Sequence, residues 1–563
     1  MTSRQRSFLA GRVAGVVLLV LAAAVPLAQQ APPQGPRLFV IVSVDQLRAD
    51  YVTRYGRAWT GGLRRLVDES ARFSLASYPY MNTVTCAGHS TIGTGAIPAV
   101  HGMVLNAWFD RETGKQVACT DDADTQLVHY NGMPPRATGN SGKRLLVPTF
   151  ADELRAQSGN KPRIASMSLK PRSAIGMAGH GGDLVLWFDD TEGWSTSTAF
   201  AATPLPWLKA FLAARPVSAA YGSSWTRLRP ESSYLFDDDG LGEGQPNGWA
   251  RTFPHAVTSK TGKPDREFLA AWTTTPMADA YLTSIAIEAL DKMELGQSPT
   301  RRDVLAVSYS VLDVVGHPYG PRSHEVQDVL ARLDLTLADL IDALDRKVGR
   351  DHYVLALTGD HGVSPIPEQM AADGFDAVRV SLADVRARVD KALEPFLGPG
   401  PHVASIAYTD LYFVPGTYDR LIASPEAMRA ALDAVLASPG VEKVYRGDLI
   451  GAGVVPQDGI AQAVAGSYHR GRSGDLLLVP RAYSITSGAV ATHGTLYDYD
   501  SRVPLLFFGA GVKPGEYAVP SSPADLAPTF AHLAGITLPQ PHGRPLVEAF
   551  QPTASPRHDG SRE

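Results

Sequence analysis

Five short runs along the chain are apolar almost without interruption: "LFVIVSV" (38–44), "RIASMSL" (163–169), "VLAVSYS" (304–310), "YVLALT" (353–358) and "PLLFFG" (504–509). A strand with one wet face alternates apolar and polar residues. Unbroken runs of this length predict strands covered on both faces, as in a parallel sheet. Between them "EVQDVLARLDLTLADLIDALDRKV" (325–348) places apolar residues at three- and four-residue steps, the period of an amphipathic helix. Strands alternating with helices predict an α/β fold with a central, mostly parallel sheet flanked by helices. Two stretches break the rhythm. Residues 180–265 are rich in Gly, Trp, Ser and Asp and read as an inserted cap. Residues 367–490 carry a strand-like run at 403–415, a helix around 424–438 and "VEKVYRGD" (441–448), the pattern of a small inserted β-α-β subdomain.

The ends read differently. Residues 1–28 combine Arg4, Arg6 and Arg12 with an apolar core from Val13 to about Ala24 and then small residues, the layout of a secretory signal peptide. Residues 29–36 form a Pro/Gln linker, the main domain spans 37–552, and the polar tail 553–563 is expected to be disordered. No membrane span is expected after cleavage, and the mature protein is expected in the periplasm or outside the cell. There Cys86 and Cys119 are permitted, but not required, to form a disulfide. A net charge of −5 leaves no basic footprint for nucleic acid. An anionic substrate therefore needs local positive charge.

That charge has a place to gather. In open α/β sheets ligands bind beyond the carboxyl ends of the strands. Here "LFVIVSV" runs into Asp45, "VLAVSYS" leads to Asp313 and His317, and "YVLALT" leads to Asp360 and His361. Singly, such residues cap helices or decorate surfaces. Together they bring three carboxylates and two histidines to one edge, which is costly unless a cation neutralises them. Mixed oxygen and imidazole ligands suit zinc. His493, in a loop before the last apolar run, is a further candidate ligand. "NTVTCAGHSTIGTG" (82–95) sets Thr85 where a helix could start, and a helix N-terminus suits an anion.

These residues resemble the alkaline phosphatase superfamily, and more closely its secreted bacterial members with a threonine nucleophile. The group's D-Q-[LM]-R-x-D-Y stands here as "DQLRADY" (45–51) and its T-x-x-x-H…T-G as "TCAGHSTIGTG" (85–95), the latter shared with nucleotide pyrophosphatases/phosphodiesterases. The likeness runs from about Arg37 to Ala549. It implies an alkaline-phosphatase-like fold, a zinc-dependent reaction on small phosphate monoesters, a phosphothreonine intermediate at Thr85 and two zinc ions per chain. Asp313, His317 and His493 would hold one ion. Asp45, Asp360 and His361 would hold the other, with the Thr85 oxygen. Asn106, Lys170 and Arg172 would bind phosphate, and the chain would be a monomer. The alternative is a phosphodiesterase or nucleotide pyrophosphatase with the same metals, which lacks the Lys-x-Arg pair. A sulfatase is set aside because "CAGHS" (86–90) has neither the Pro nor the Arg of C-x-P-x-R.

Overall fold

The structure is a computed structural model and describes residues 35–189 and 191–551. The signal-peptide segment, the linker up to residue 34 and the tail lie outside the described residues.

An eleven-stranded sheet organises the chain. Its order is Gly515–Ser521, Ala71–Ala76, Leu505–Gly509, Tyr353–Thr358, Leu38–Val44, Asp303–Tyr309, Ile164–Ser168, Leu184–Asp189, Gly193–Ser197, Asp121–His129 and Arg136–Asn140. The central five, from Tyr353–Thr358 to Leu184–Asp189, are parallel. Leu38–Val44 is buried throughout because both its faces are covered. Leu38, Val40, Val42 and Val44 join the core beneath the helices Pro276–Lys292 and His324–Lys347, while Phe39 and Ile41 join the opposite core around Phe150 and Phe530. The helix at 324–347 starts where Ser323 accepts the Val326 N–H, an N-cap bond. It buries Val326, Val329, Leu330, Leu333, Leu337, Leu340, Ile341 and Leu344, the positions its periodicity marks.

Register places the site. Val44 pairs with Tyr309 and Ser43 with Thr358, so the chain leaves three neighbouring strands at one level. Asp45, Ser310 and Gly359 follow directly, and Ser168, paired with Ser308, brings Lys170 to the same edge.

Three expectations are corrected. Leu505–Gly509 is buried but runs antiparallel to both neighbours. The chain arrives from the His493 loop, already at the carboxyl edge (Thr358 pairs with Leu505), so the strand can only run back. Residues 184–197 belong to the central sheet rather than to a separate cap: Asp189 pairs with Gly193 in a hairpin, and Trp187 and Trp194 are buried. The excursion beyond them is loop-rich, with the helix Pro206–Ala214, a few single 3-10 turns and the short pair Ser224–Trp225 and His255–Ala256. Finally, the run at 403–415 is two strands, Val403–Ala407 and Asp410–Phe413, folded back at Tyr408 and Thr409. They form an antiparallel sheet with Leu476–Pro480 and Val441–Arg446, covered by the helices Leu382–Leu397 and Pro425–Leu436 and sharing a core of their own. Among the described residues no helix is long and apolar enough to cross a membrane.

Candidate active site

Asp313 and His317 stand four apart on the helix Val311–Tyr319, on one face. His317 Nε2 lies 3.2 Å from Asp313 Oδ1, and His493 Nε2 approaches the same oxygen at 3.6 Å. Beside them, His361 Nε2 lies 3.3 Å from Asp45 Oδ1 and 3.4 Å from Asp360 Oδ2. The two groups touch, because the His361 and His493 rings stack with centroids 3.5 Å apart. All six predicted ligand residues are therefore brought together, in the two expected threes.

The donor set fits a divalent cation at each group. Ligand atoms within each three lie within 4.8 Å of one another. Asp45 Oδ1 is buried with no hydrogen-bond partner, which is expensive unless something charged is bound there. Each imidazole is also turned the right way. His317, His361 and His493 hold Nδ1 at 2.8, 2.9 and 2.8 Å from the carbonyls of Ala491, Gly362 and Thr83. A carbonyl only accepts, so each Nδ1 carries the proton and each Nε2 keeps a lone pair for the site. Burial pushes His361 and His493 below their ordinary range. Crowding splits the carboxylates. Burial raises Asp45, and the charges of Asp313 and Asp360 raise it further. In Asp313 burial is overridden by Lys170 and His317, and in Asp360 by His361 and His89, so both stay ionised.

Thr85 opens the helix Thr85–Thr94 and is buried. Its Oγ1 lies 3.4 Å from His361 Nε2. A cavity of about 430 Å³ opens over it, lined by Asn106, Arg172, Tyr408 and His493 among others. Asn106 Oδ1 accepts the Cys86 N–H at 2.8 Å, capping the helix from a distance. Arg172 sits in the first turn of Pro171–Ala178, with its buried Nε unpartnered. Lys170 differs from the expected phosphate contact: its ammonium lies between Asp45 Oδ2, at 2.5 Å, and Asp313 Oδ2. Cys86 and Cys119 form a disulfide, which ties the residue beside Thr85 to the strand pair following Asn106.

Three residues escape the sequence reading. Gln46, at φ 70°, donates its N–H to Asp360 Oδ1 at 3.2 Å and its Nε2 to Asp313 Oδ1 at 2.8 Å, bridging the two groups. A Cβ on Gly316 would meet Gln46 Oε1 at 1.7 Å, so the D-V-V-G-H glycine is required by this bridge. His89, one turn after Thr85, holds Nδ1 2.9 Å from the Thr85 carbonyl and 3.0 Å from Asp360 Oδ2. Its place in T-x-x-x-H was the available signal. Tyr408 comes from the inserted subdomain, where no motif marks it.

Fold and site define a phosphoesterase. Residues 39–492 match the type I phosphodiesterase / nucleotide pyrophosphatase family, and the chain belongs to it, within the alkaline phosphatase superfamily. Its relatives include alkaline phosphatase PhoV of Synechococcus elongatus, 31% identical over 90% of this chain and 91% of that one. A protein of Myroides odoratus named calcium-transporting ATPase is 31% identical over 92% of this chain and 95% of its own. Alkaline phosphatase PafA of Elizabethkingia meningoseptica is 30% identical over 92% and 94%. The PafA crystal structure superposes with a TM-score of 0.83 at 30% identity, covering 92% of this chain and 99% of PafA. A PafA variant altered at one threonine, one asparagine, one lysine and one arginine is also solved.

Proposed function

We propose that the protein is a zinc-dependent alkaline phosphatase that hydrolyses small phosphate monoesters through a phosphothreonine at Thr85, and that it works after export. One observation carries this reading: the Thr85 hydroxyl lies at the junction of two adjacent carboxylate–imidazole groups and opens into a cavity shared with Arg172 and Asn106. The four residue types altered in the PafA variant occur here in the same order as Thr85, Asn106, Lys170 and Arg172.

Two zinc ions held by these groups would supply an activated hydroxyl and compensation for the charge on the leaving oxygen. The chain does the rest. Thr85 Oγ releases its proton to water and attacks phosphorus, the Oγ–P bond forms and the ester P–O bond breaks. The departing alkoxide takes a proton from water, and a water molecule then breaks the Oγ–P bond and regenerates Thr85. The start of Thr85–Thr94 sets the positive end of the helix dipole beside the anion, and the Arg172 guanidinium can bind two phosphoryl oxygens at once. His89 and Asn106 fix the first turn of that helix, so the hydroxyl needs little reorganisation.

The phosphodiesterase reading draws on the family's name. Arg172 speaks for the monoester, and Lys170 would join it once metal ions relieve it of Asp45 and Asp313, because two cations match a dianion better than a singly charged diester carrying a second substituent. The test is acid quenching during turnover of a chromogenic monoester. Phosphate should be recovered on the peptide containing Thr85, and Thr85→Ala should lose at least about three orders of magnitude in turnover. Near-normal turnover of Thr85→Ala with metal bound would overturn the assignment.

A further inference from the structure

Tyr408 occupies a conformation that a bulky residue rarely adopts. It turns the hairpin between Val403–Ala407 and Asp410–Phe413 at φ 55°, in the left-handed region that Gly and Asn tolerate best. Strain of this kind persists only where the surroundings over-determine it, and it concentrates at functional positions. Here the surroundings do so. The neighbouring Thr409 donates its hydroxyl to Asn82 Oδ1 at 2.9 Å, and its carbonyl accepts the Leu478 N–H at 2.8 Å. Asn82 stands in the loop that delivers Thr85, and its own N–H is held by Ser467 Oγ at 2.8 Å. The turn is thus fastened to the nucleophile loop on one side and to the subdomain sheet on the other.

What this holds in place is a hydroxyl. Tyr408 is half-buried in the wall of the cavity over Thr85, and its Oη accepts one Asn106 Nδ2 proton at 3.1 Å. The Asn106 carbonyl oxygen is already committed to the Cys86 N–H. The Cys86 bond settles which way the amide faces, since a flipped amide would set its NH₂ against an N–H, and the amide nitrogen is then the group that meets Tyr408. With one amide proton on Tyr408, the second is left for a group in the cavity.

We propose that Tyr408 is a positioning residue: by accepting one proton of the Asn106 amide it aims the other at a phosphoryl oxygen, so that the inserted subdomain takes part in binding the transition state. This rests on the reading of Asn106 as a phosphate contact. Phenylalanine at 408 keeps the ring and its packing and removes only the acceptor, so a double-mutant cycle isolates the effect. The four proteins are wild type, Tyr408→Phe, Asn106→Ala and the double variant, each metal-loaded, assayed for kcat/KM on p-nitrophenyl phosphate and for inhibition by inorganic phosphate. Tyr408→Phe should lower kcat/KM by about fivefold to tenfold, the effect of one hydrogen bond, and should weaken phosphate inhibition by a similar factor. In the Asn106→Ala background it should change either quantity by less than about twofold. An equal loss in both backgrounds, or no loss in wild type while Asn106→Ala is impaired, would overturn the role of Tyr408 and leave Asn106 standing. Unchanged kcat/KM in Asn106→Ala itself would overturn the reading of Asn106, and this inference with it.

Discussion

Replacing Gly88 by alanine asks how closely the nucleophile helix presses on the loop that carries Asp360 and His361. Gly88 lies in the first turn of Thr85–Thr94, and a Cβ there would stand 2.2 Å from the Asp360 carbonyl oxygen and 2.8 Å from Asp360 Cβ. Real Cβ contacts do not fall below 3.0 Å, so the segments must separate by at least 3.0 − 2.2 = 0.8 Å. The obstacle is backbone on one side and a helix on the other, and neither can rotate away. Two effects compete. Alanine favours the helix over glycine by about 1 kcal/mol, while overpacking a tight contact costs about 1–3 kcal/mol. Overpacking wins narrowly, and the melting temperature should move by no more than about 2–4 °C. Geometry suffers more. The separation opens the 3.4 Å approach of Thr85 Oγ1 to His361 Nε2, and a misplacement near 1 Å costs about a hundredfold in rate. Turnover of a chromogenic monoester should therefore fall about a hundredfold in a folded protein, with weaker zinc retention measured by elemental analysis. Gly459→Ala, in the helix Gly459–Ser467 with no atom within 4 Å of the new Cβ, is the control and should change nothing. Full zinc and turnover within about threefold of wild type in Gly88→Ala would refute the argument, because the contact would then have room that the structure denies.

Dialysis against a chelator should abolish turnover, and zinc should restore it at about two equivalents per chain; full recovery at one equivalent would refute the two-group picture. Lys170→Ala combined with Arg172→Ala removes charge-assisted bonds worth roughly 1.5–3 kcal/mol each, so monoester turnover should fall at least about a hundredfold and diester turnover far less. Equal losses would return the chain to the diesterase reading. Replacing Cys86 and Cys119 together by serine opens a loop of sequence separation 33 and should lower the unfolding free energy by roughly 3–4 kcal/mol in denaturant titration. Two free thiols by mass spectrometry in exported wild-type protein would contradict it. Glu243 and Glu325, away from the site, are pushed up to about 8 and about 9 from 4.5, chiefly by burial. The folded protein then keeps protons that the unfolded chain has released, so stability should fall as pH climbs from about 4.5 to about 9. Glu243→Gln should flatten that slope in urea titrations at pH 5 and pH 9, and an unchanged slope would refute the cause.

Legibility in the sequence followed the kind of information each feature uses. The central strands are unbroken apolar runs, and six metal-type side chains could be read because most of them directly follow such runs. The direction of Leu505–Gly509 could not, since burial of both faces is the same for either direction and only the chain's point of arrival decides. Residues 184–197 hide inside the Gly-, Ser- and Asp-bearing stretch 180–265, whose composition masks the short run "LVLWF" and the buried Trp187 and Trp194 that decide the structure. Gln46 and Tyr408 make their contacts far along the chain, since their partners Asp313 and Asn106 lie 267 and 302 residues away. No local pattern announces such a pair.

The three histidines of the two candidate metal groups turn Nδ1 to main chain alone: the carbonyls of Thr83, Gly362 and Ala491. A supporting carboxylate can be deleted by a single codon change, whereas a carbonyl belongs to whichever amino acid occupies its position. Mutational scanning would therefore pass over the groups that orient all three imidazoles, recording at position 83 the bond from the Thr83 hydroxyl to the Thr495 carbonyl and at position 362 the Tyr499 carbonyl that a Cβ would meet at 2.1 Å. The aim of the ligands is inherited through the path of the backbone.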